Sequence, residues 1–112
     1  MNSHAHHNIQ IIKKNSEIKD LLSQGKKIYT KFGIFFIGNN TDQKNFRFAI
    51  LIKKSVGNAV WRNYCKRITR VYIRNRRDKF IKNNLVLFVY TFKGKIRYKL
   101  LEEEFDQKLA FL

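Results

Sequence analysis

From residue 46 to residue 52 the chain alternates. Phe46, Phe48, Ile50 and Ile52 take one parity, and Arg47, Ala49 and Leu51 the other. A period of two predicts a strand with one face turned to a core. Residues 32–37 (Phe-Gly-Ile-Phe-Phe-Ile) form a second strand by composition, and residues 26–29 a shorter one. Residues 38–42, with Gly38, Asn39, Asn40 and Asp42, carry turn chemistry. Residues 85–92 are a near-continuous apolar run, the pattern of a strand buried on both faces, and Gly94 follows it.

Helical spacing fills the gaps between these strands. Ile18, Leu21 and Leu22 make one apolar stripe behind Asn15 or Ser16 as cap, with Glu17 in the first turn and Gly25 just past the end. Asn58 caps the next predicted helix. At about 100° per residue, Val60, Trp61, Tyr64, Cys65, Ile68, Val71 and Tyr72 fall within roughly 140° of arc. Arg62, Asn63, Lys66, Arg67, Arg70, Arg74, Arg76 and Arg77 are assigned to the opposite arc, with Ile73 and Asn75 as exceptions. Leu101, Phe105 and Leu109 mark a last helix over residues 98–112. The order of helix, two or three strands, helix, strand, helix predicts an α+β sandwich around one sheet. A single domain is expected over residues 9–112 behind a flexible polar tail of residues 1–8. There is no internal repeat and no proline.

Charge changes the picture most. Lys plus Arg number 24 against 8 Asp plus Glu in 112 residues, a net charge of +16. Residues 43–77 carry eleven Lys or Arg and no acid. Such a run needs water or an anionic partner, and a polyphosphate fits best. Sixteen aromatics set the chain apart from a disordered basic tail. No apolar stretch reaches the roughly 18 to 20 residues that span a bilayer. Residues 1–7 do not read as a secretory signal, and the lone Cys65 suits a reducing interior. A cytoplasmic setting without membrane contact is expected.

Autonomous catalysis finds little support. Two-metal phosphodiester chemistry needs clustered carboxylates, and no acid lies in the basic region. Glu102, Glu103 and Glu104 read as a solvated helix face. His4, His6 and His7 lie in the tail, away from Cys65, which projects onto the apolar arc as a packed thiol. No catalytic residue is assigned. Binding fares better. Arg62, Lys66 and Arg70 repeat every four residues along one helix edge, and Arg67 and Arg74 add a second row. Arginine pairs two phosphate oxygens at once, and Asn63 can reach a ribose hydroxyl or a base edge. Phe35 differs in parity from Phe32, Ile34 and Phe36, so it is expected on a face open to a stacking base.

The stretch from Lys54 through Gly57-Asn58-Ala59-Val60, Arg62-Asn63 and Lys66-Arg67 resembles the signature of the bacterial ribonuclease P protein subunit. The resemblance covers about residues 9–112. It implies an accessory subunit of an endoribonuclease whose catalytic RNA, using bound Mg2+, removes the 5′ leader of precursor tRNA. The implied partners are that RNA and precursor tRNA, with no obligate protein partner. The implied fold is an α-β-β-β-α-β-α two-layer sandwich with one mixed sheet and a left-handed crossover around the basic helix. By position, Lys53, Lys54, Asn58, Arg62, Asn63, Lys66, Arg67, Arg70 and Arg74 would face the catalytic RNA. Ile18, Leu22 and Phe35 would meet the leader. The chain departs from the signature at Tyr64, where a second arginine is usual, and at Ile18 and Leu22, where an aromatic is common. A ribosomal or general structured-RNA-binding protein would share the charge but not the motif. A DNA-binding regulator would need a small companion helix where this chain has strands.

Overall fold

The computed structural model describes residues 9–38, 46–80 and 85–112. The expected tail of residues 1–8, with its histidines, and the turn residues 39–42 lie outside them. In chain order the elements are β1 (Ile9–Ile11), α1 (Asn15–Gln24), β2 (Lys26–Tyr29), β3 (Gly33–Gly38), β4 (Phe46–Ile52), a 3-10 turn (Lys54–Val56), α2 (Ala59–Asn75), the short α3 (Arg77–Phe80), β5 (Leu85–Tyr90) and α4 (Tyr98–Lys108). The sheet is mixed, in the order β1-β4-β5-β3-β2. β5 runs parallel to β4 and antiparallel to β3, so α2 and α3 form the crossover between two neighbouring parallel strands. β1 was not foreseen. It pairs parallel with Phe46–Phe48 of β4 and brings the start of the described chain into the sheet.

The alternation in β4 is used on both sides. Phe46 and Phe48 join Ile28, Phe35, Ile37, Val86, Phe88 and Tyr90 on one face of the sheet. There they pack on Cys65, Ile68, Tyr72 and Ile73 of α2, Phe80 of α3, and Leu101, Phe105 and Leu109 beyond. Ala49 joins Phe36, Leu85 and Leu87 on the other face, under Leu21 of α1 and Ile12. Two close approaches hold the sheet ends. A Cβ on Gly33 would lie 2.1 Å from the Val89 carbonyl oxygen, so only glycine fits where β3 meets β5. The Thr30 hydroxyl ties the β2–β3 turn by donating to the Gly33 carbonyl (2.8 Å) and accepting from the Gly33 N–H (3.1 Å).

Two expectations need correction here. Phe35 is fully buried, with its ring 4.5 Å from Phe88 and 4.9 Å from Phe105. Its parity points into the larger core, not toward solvent. The buried side of α2 is also turned from the expected arc. Cys65, Ile68, Thr69, Tyr72 and Ile73 are buried, whereas Val60 is 80% exposed and Val71 is exposed too. Thr69 can sit in the core because its hydroxyl donates to the Cys65 carbonyl at 2.8 Å. Cys65 is a packed thiol as expected, and burial pushes its pKa up.

This rotation carries Arg76 inward. Its guanidinium donates to Asp106 Oδ1 (3.0 Å) and Oδ2 (2.8 Å) and to Glu102 Oε2 (2.9 Å), and the Tyr72 hydroxyl donates to Asp106 Oδ1 at 2.7 Å. Glu104 accepts the Lys31 backbone N–H at 2.6 Å. Glu102 and Glu104 are therefore structural clasps on α4, and only Glu103 keeps the solvated role expected of all three. On the opposite face Arg47 grips Glu17 through both carboxylate oxygens (2.9 and 2.6 Å), fastening α1 to β4.

The Arg76 hydrogen bonds hold the Asp106 carboxyl below its ordinary 3.8, and the Arg47 hydrogen bond holds Glu17 below 4.5. A depressed carboxylate stabilises the fold above its unfolded pKa, and that contribution is lost as pH falls through the folded value. Thermal stability is expected to be flat above about pH 5 and to drop below pH 4. Asp106→Asn should cost about 1 kcal/mol at pH 7, after discounting for solvent screening, and progressively less as the pH falls toward about 2. Thermal melts across that range check it, and an equal loss at both ends would reject the clasp.

Candidate nucleic-acid interface

The basic helix is built from its first turn. β4 ends at Ile52, Lys53 and Lys54 are exposed, and the 3-10 turn leads to Gly57. A Cβ at Gly57 would lie 2.7 Å from Trp61 Cδ1, so glycine lets the backbone lie against the indole. Asn58 Oδ1 accepts the Trp61 N–H at 2.9 Å, the expected cap. The Arg62 guanidinium turns back and donates to the Gly57 carbonyl at 2.7 Å. Asn58 and Arg62 thus shape the helix start, and each keeps further N–H donors for a ligand.

Beyond that turn the cations diverge. Lys66 and Arg70 line a cleft of ≈ 220 Å³ with Ile11, Ile12, Ile18, Phe48, Ala49, Ile50 and Leu51. Among the described residues β1 pairs with Phe46–Phe48, and no strand among them pairs with this edge of β4 beyond Phe48, where it borders the cleft. Asn63 and Arg74 are exposed on the outer side of α2, and Arg67 lies with its guanidinium 5.5 Å over the Tyr64 ring. Among the described residues, the ion pairs of the domain use Arg47 and Arg76. Lys53, Lys54, Arg62, Lys66, Arg67, Arg70 and Arg74 have no carboxylate partner within them. One side of the molecule therefore presents unneutralised charge, which focuses a positive potential.

The expected leader contacts separate. Ile18 enters the cleft beside Lys66 and Arg70. Leu22 is exposed on α1 but does not line the cleft, and Phe35 belongs to the core. What the sequence did not reveal is a row across four strands. The pairing places Leu51 beside Val89, Val89 beside Ile34 and Ile34 beside Tyr29. Leu51 and Tyr29 are exposed, Tyr29 by 62%, and Ile34 and Val89 are half-buried. The neighbouring row contains Ala49, Leu87 and Phe36, which α1 covers. Only cross-strand register, which the sequence leaves open, could have found the uncovered one.

An α+β domain with an acid-free basic helix beside an apolar cleft defines a binding protein for folded or single-stranded nucleic acid. Comparison with known proteins narrows this class. Residues 7–111 match the family described as Ribonuclease P. The chain is 30% identical over 76 residues to the ribonuclease P protein component of Macrococcus caseolyticus, covering 68% of this chain and 66% of that protein. The corresponding protein of Fusobacterium nucleatum is 29% identical over 101 residues, covering 86% of this chain and 90% of its own length. The RNase P protein of Staphylococcus aureus superposes with a TM-score of 0.79 at 20% identity, covering 89% and 92% of the two chains. That of Thermotoga maritima gives 0.78 at 17%, covering 92% and 97%. The chain belongs to the ribonuclease P protein component family.

Proposed function

We propose that this chain is the protein component of a ribonuclease P. It binds a catalytic RNA and the 5′ leader of precursor tRNA, and the RNA performs the hydrolysis that frees the mature tRNA 5′ end. The observation that carries this reading is the division of α2. Lys66 and Arg70 line an apolar-floored cleft, and Asn63, Arg67 and Arg74 are exposed and do not line it. A protein serving two RNAs at once needs two such surfaces. Lys53, Lys54, Asn58, Arg62, Asn63, Arg67 and Arg74 take the catalytic RNA. Lys66 and Arg70 stand at the boundary and also meet the leader, whose bases lie over Ile18, Leu51 and the Tyr29 row. Exposed aromatic and aliphatic surface suits unpaired bases, and flanking cations follow the phosphates.

Magnesium in this scheme belongs to the RNA. Among the described residues no three His, Cys, Asp or Glu side chains converge as a ligand set, and Glu17, Glu102 and Asp106 are engaged by arginines. The cation would supply the activated water and charge neutralisation at the scissile phosphate, while the protein's cations lower the repulsion between the two RNAs. Among the described residues no helix is long and apolar enough to cross a membrane, consistent with a place beside its RNA in the cytoplasm.

Reconstitution tests the reading. Precursor tRNA should stay intact with the protein alone, and cleavage at low magnesium should need protein and catalytic RNA together. Cutting at the same site by RNA-free protein, or a catalytic RNA indifferent to the protein, would refute it.

A further inference from the structure

The first turns of α2 carry a second depression, of ≈ 550 Å³, lined by Asn58, Val60, Trp61, Asn63, Tyr64 and Arg67. It shares no residue with the Lys66–Arg70 cleft. At about 100° per residue its centre lies roughly 120° around the helix from that cleft. Its chemistry differs as well. Trp61 and Tyr64 stack with ring centroids 5.1 Å apart and planes 24° from parallel. The Arg67 guanidinium lies over the Tyr64 ring at 5.5 Å, and the Tyr64 hydroxyl is fixed to the Ile96 carbonyl at 3.1 Å. Beside this ladder Val60 is almost free of contacts, at 80% exposure on a helix otherwise rich in cations.

Each piece suits a nucleotide whose base is out of its helix. A flat ladder pinned at one end presents apolar and aromatic surface with little side-chain freedom left to lose. A guanidinium held over a ring keeps its edge N–H groups for phosphate. Asn63, exposed at the rim, offers both a donor and an acceptor to a base edge. A duplex presents only its outer surface to such a ladder, whereas a looped-out base can lie on it.

We propose that the Trp61–Tyr64–Arg67 ladder, with Val60 exposed beside it, is a stacking site for one unpaired base of the catalytic RNA. This rests on the ribonuclease P reading and adds to it a specific contact at the position where the family signature has arginine. The occupant is the catalytic RNA, not the leader, because the depression opens on the flank of α2 turned away from the Ile18 cleft.

Trp61 is the single tryptophan of the chain, so its emission reports this site directly. The full-length protein is titrated with the catalytic RNA, with precursor tRNA alone, and with a blunt RNA duplex, while filter retention measures binding independently. The catalytic RNA should quench Trp61 emission by about half as it saturates, and the other two should change it by about a tenth or less although charge makes them bind. Tyr64→Ala should weaken the catalytic RNA by about tenfold, and Tyr64→Phe by less than about twofold. Because Tyr64 also packs on the core, Val60→Glu gives a second arm. A carboxylate in the first turn favours the helix yet should weaken the same RNA about tenfold, whereas Ala110→Glu, an equal charge change on the exposed C-terminal turn, should stay within about twofold. If the RNA binds and cleavage is restored with Trp61 emission unmoved, the stacking site is overturned and the function stands. Equal quenching by precursor tRNA, or equal losses for the two glutamate variants, also overturns it. Failure of the catalytic RNA to bind at all overturns both.

Discussion

Phe35→Ala is expected to lower the melting temperature by about 15 °C, with little change in RNA affinity below that temperature. The ring is fully buried and makes aromatic contacts with Phe80, Phe88 and Phe105. Phe105 in turn meets Phe32, Tyr72 and Phe88 at centroid distances of 6.4, 5.1 and 5.0 Å. This cluster fastens β3 and β5 to α2 and α4. Truncation removes a large apolar side chain and leaves a cavity between rigid rings, costing about 3–5 kcal/mol. Domains of this size have about 5–15 kcal/mol in total, and +16 of self-repulsion works against compaction. Because RNA binds only the folded state, saturating RNA should restore much of the lost stability. Thermal melts with and without RNA check both halves. A drop of under about 5 °C, coupled to selective loss of precursor tRNA over mature tRNA, would return Phe35 to the leader surface.

The double reversal Lys66→Glu/Arg70→Glu should weaken precursor tRNA binding by the assembled enzyme by about a hundredfold or more at 0.15 M salt. The slope of log affinity against log salt should fall by about 1.4 to 1.8, because each of the two phosphate contacts contributes about 0.7 to 0.9. Neither side chain holds the fold through an ion pair among the described residues, so the melting temperature should hold or rise as net repulsion falls. The loss should be larger for precursor than for mature tRNA, because both cations border the apolar cleft where bases of a single strand can lie. Equal losses for the two substrates would place the pair against the tRNA body or the catalytic RNA.

Much of this was legible in the chain because its strongest signals are local. The alternation over residues 46–52 and the Leu101, Phe105, Leu109 stripe each name an element and its buried side, the Asn58 cap names the start of α2, and the structure agrees. The misreadings have physical reasons. β3 is apolar at both parities because both of its faces are covered, so alternation could not say whether Phe35 or Phe36 meets α1. Residue type misplaced the buried side of α2. Val60 and Val71 look like core, but Thr69, satisfied by its own helix, and Arg76, satisfied by α4, occupy the inner side. β1 was missed because three residues beside a polar tail carry too little pattern, and its partner lies 37 positions away. The Tyr29–Ile34–Val89–Leu51 row exists only through pairing of distant strands.

β5 lies at the centre of the sheet although it is the last strand to be synthesised. Among the described residues only β2 and β3 pair across a short turn, and the other strands there pair with remote partners. The arginine-rich segment therefore precedes in the chain the strand that completes the sheet beneath it. Closure of β5 between β3 and β4 is what joins the two halves of the sheet into one support beneath the arginine-rich helix.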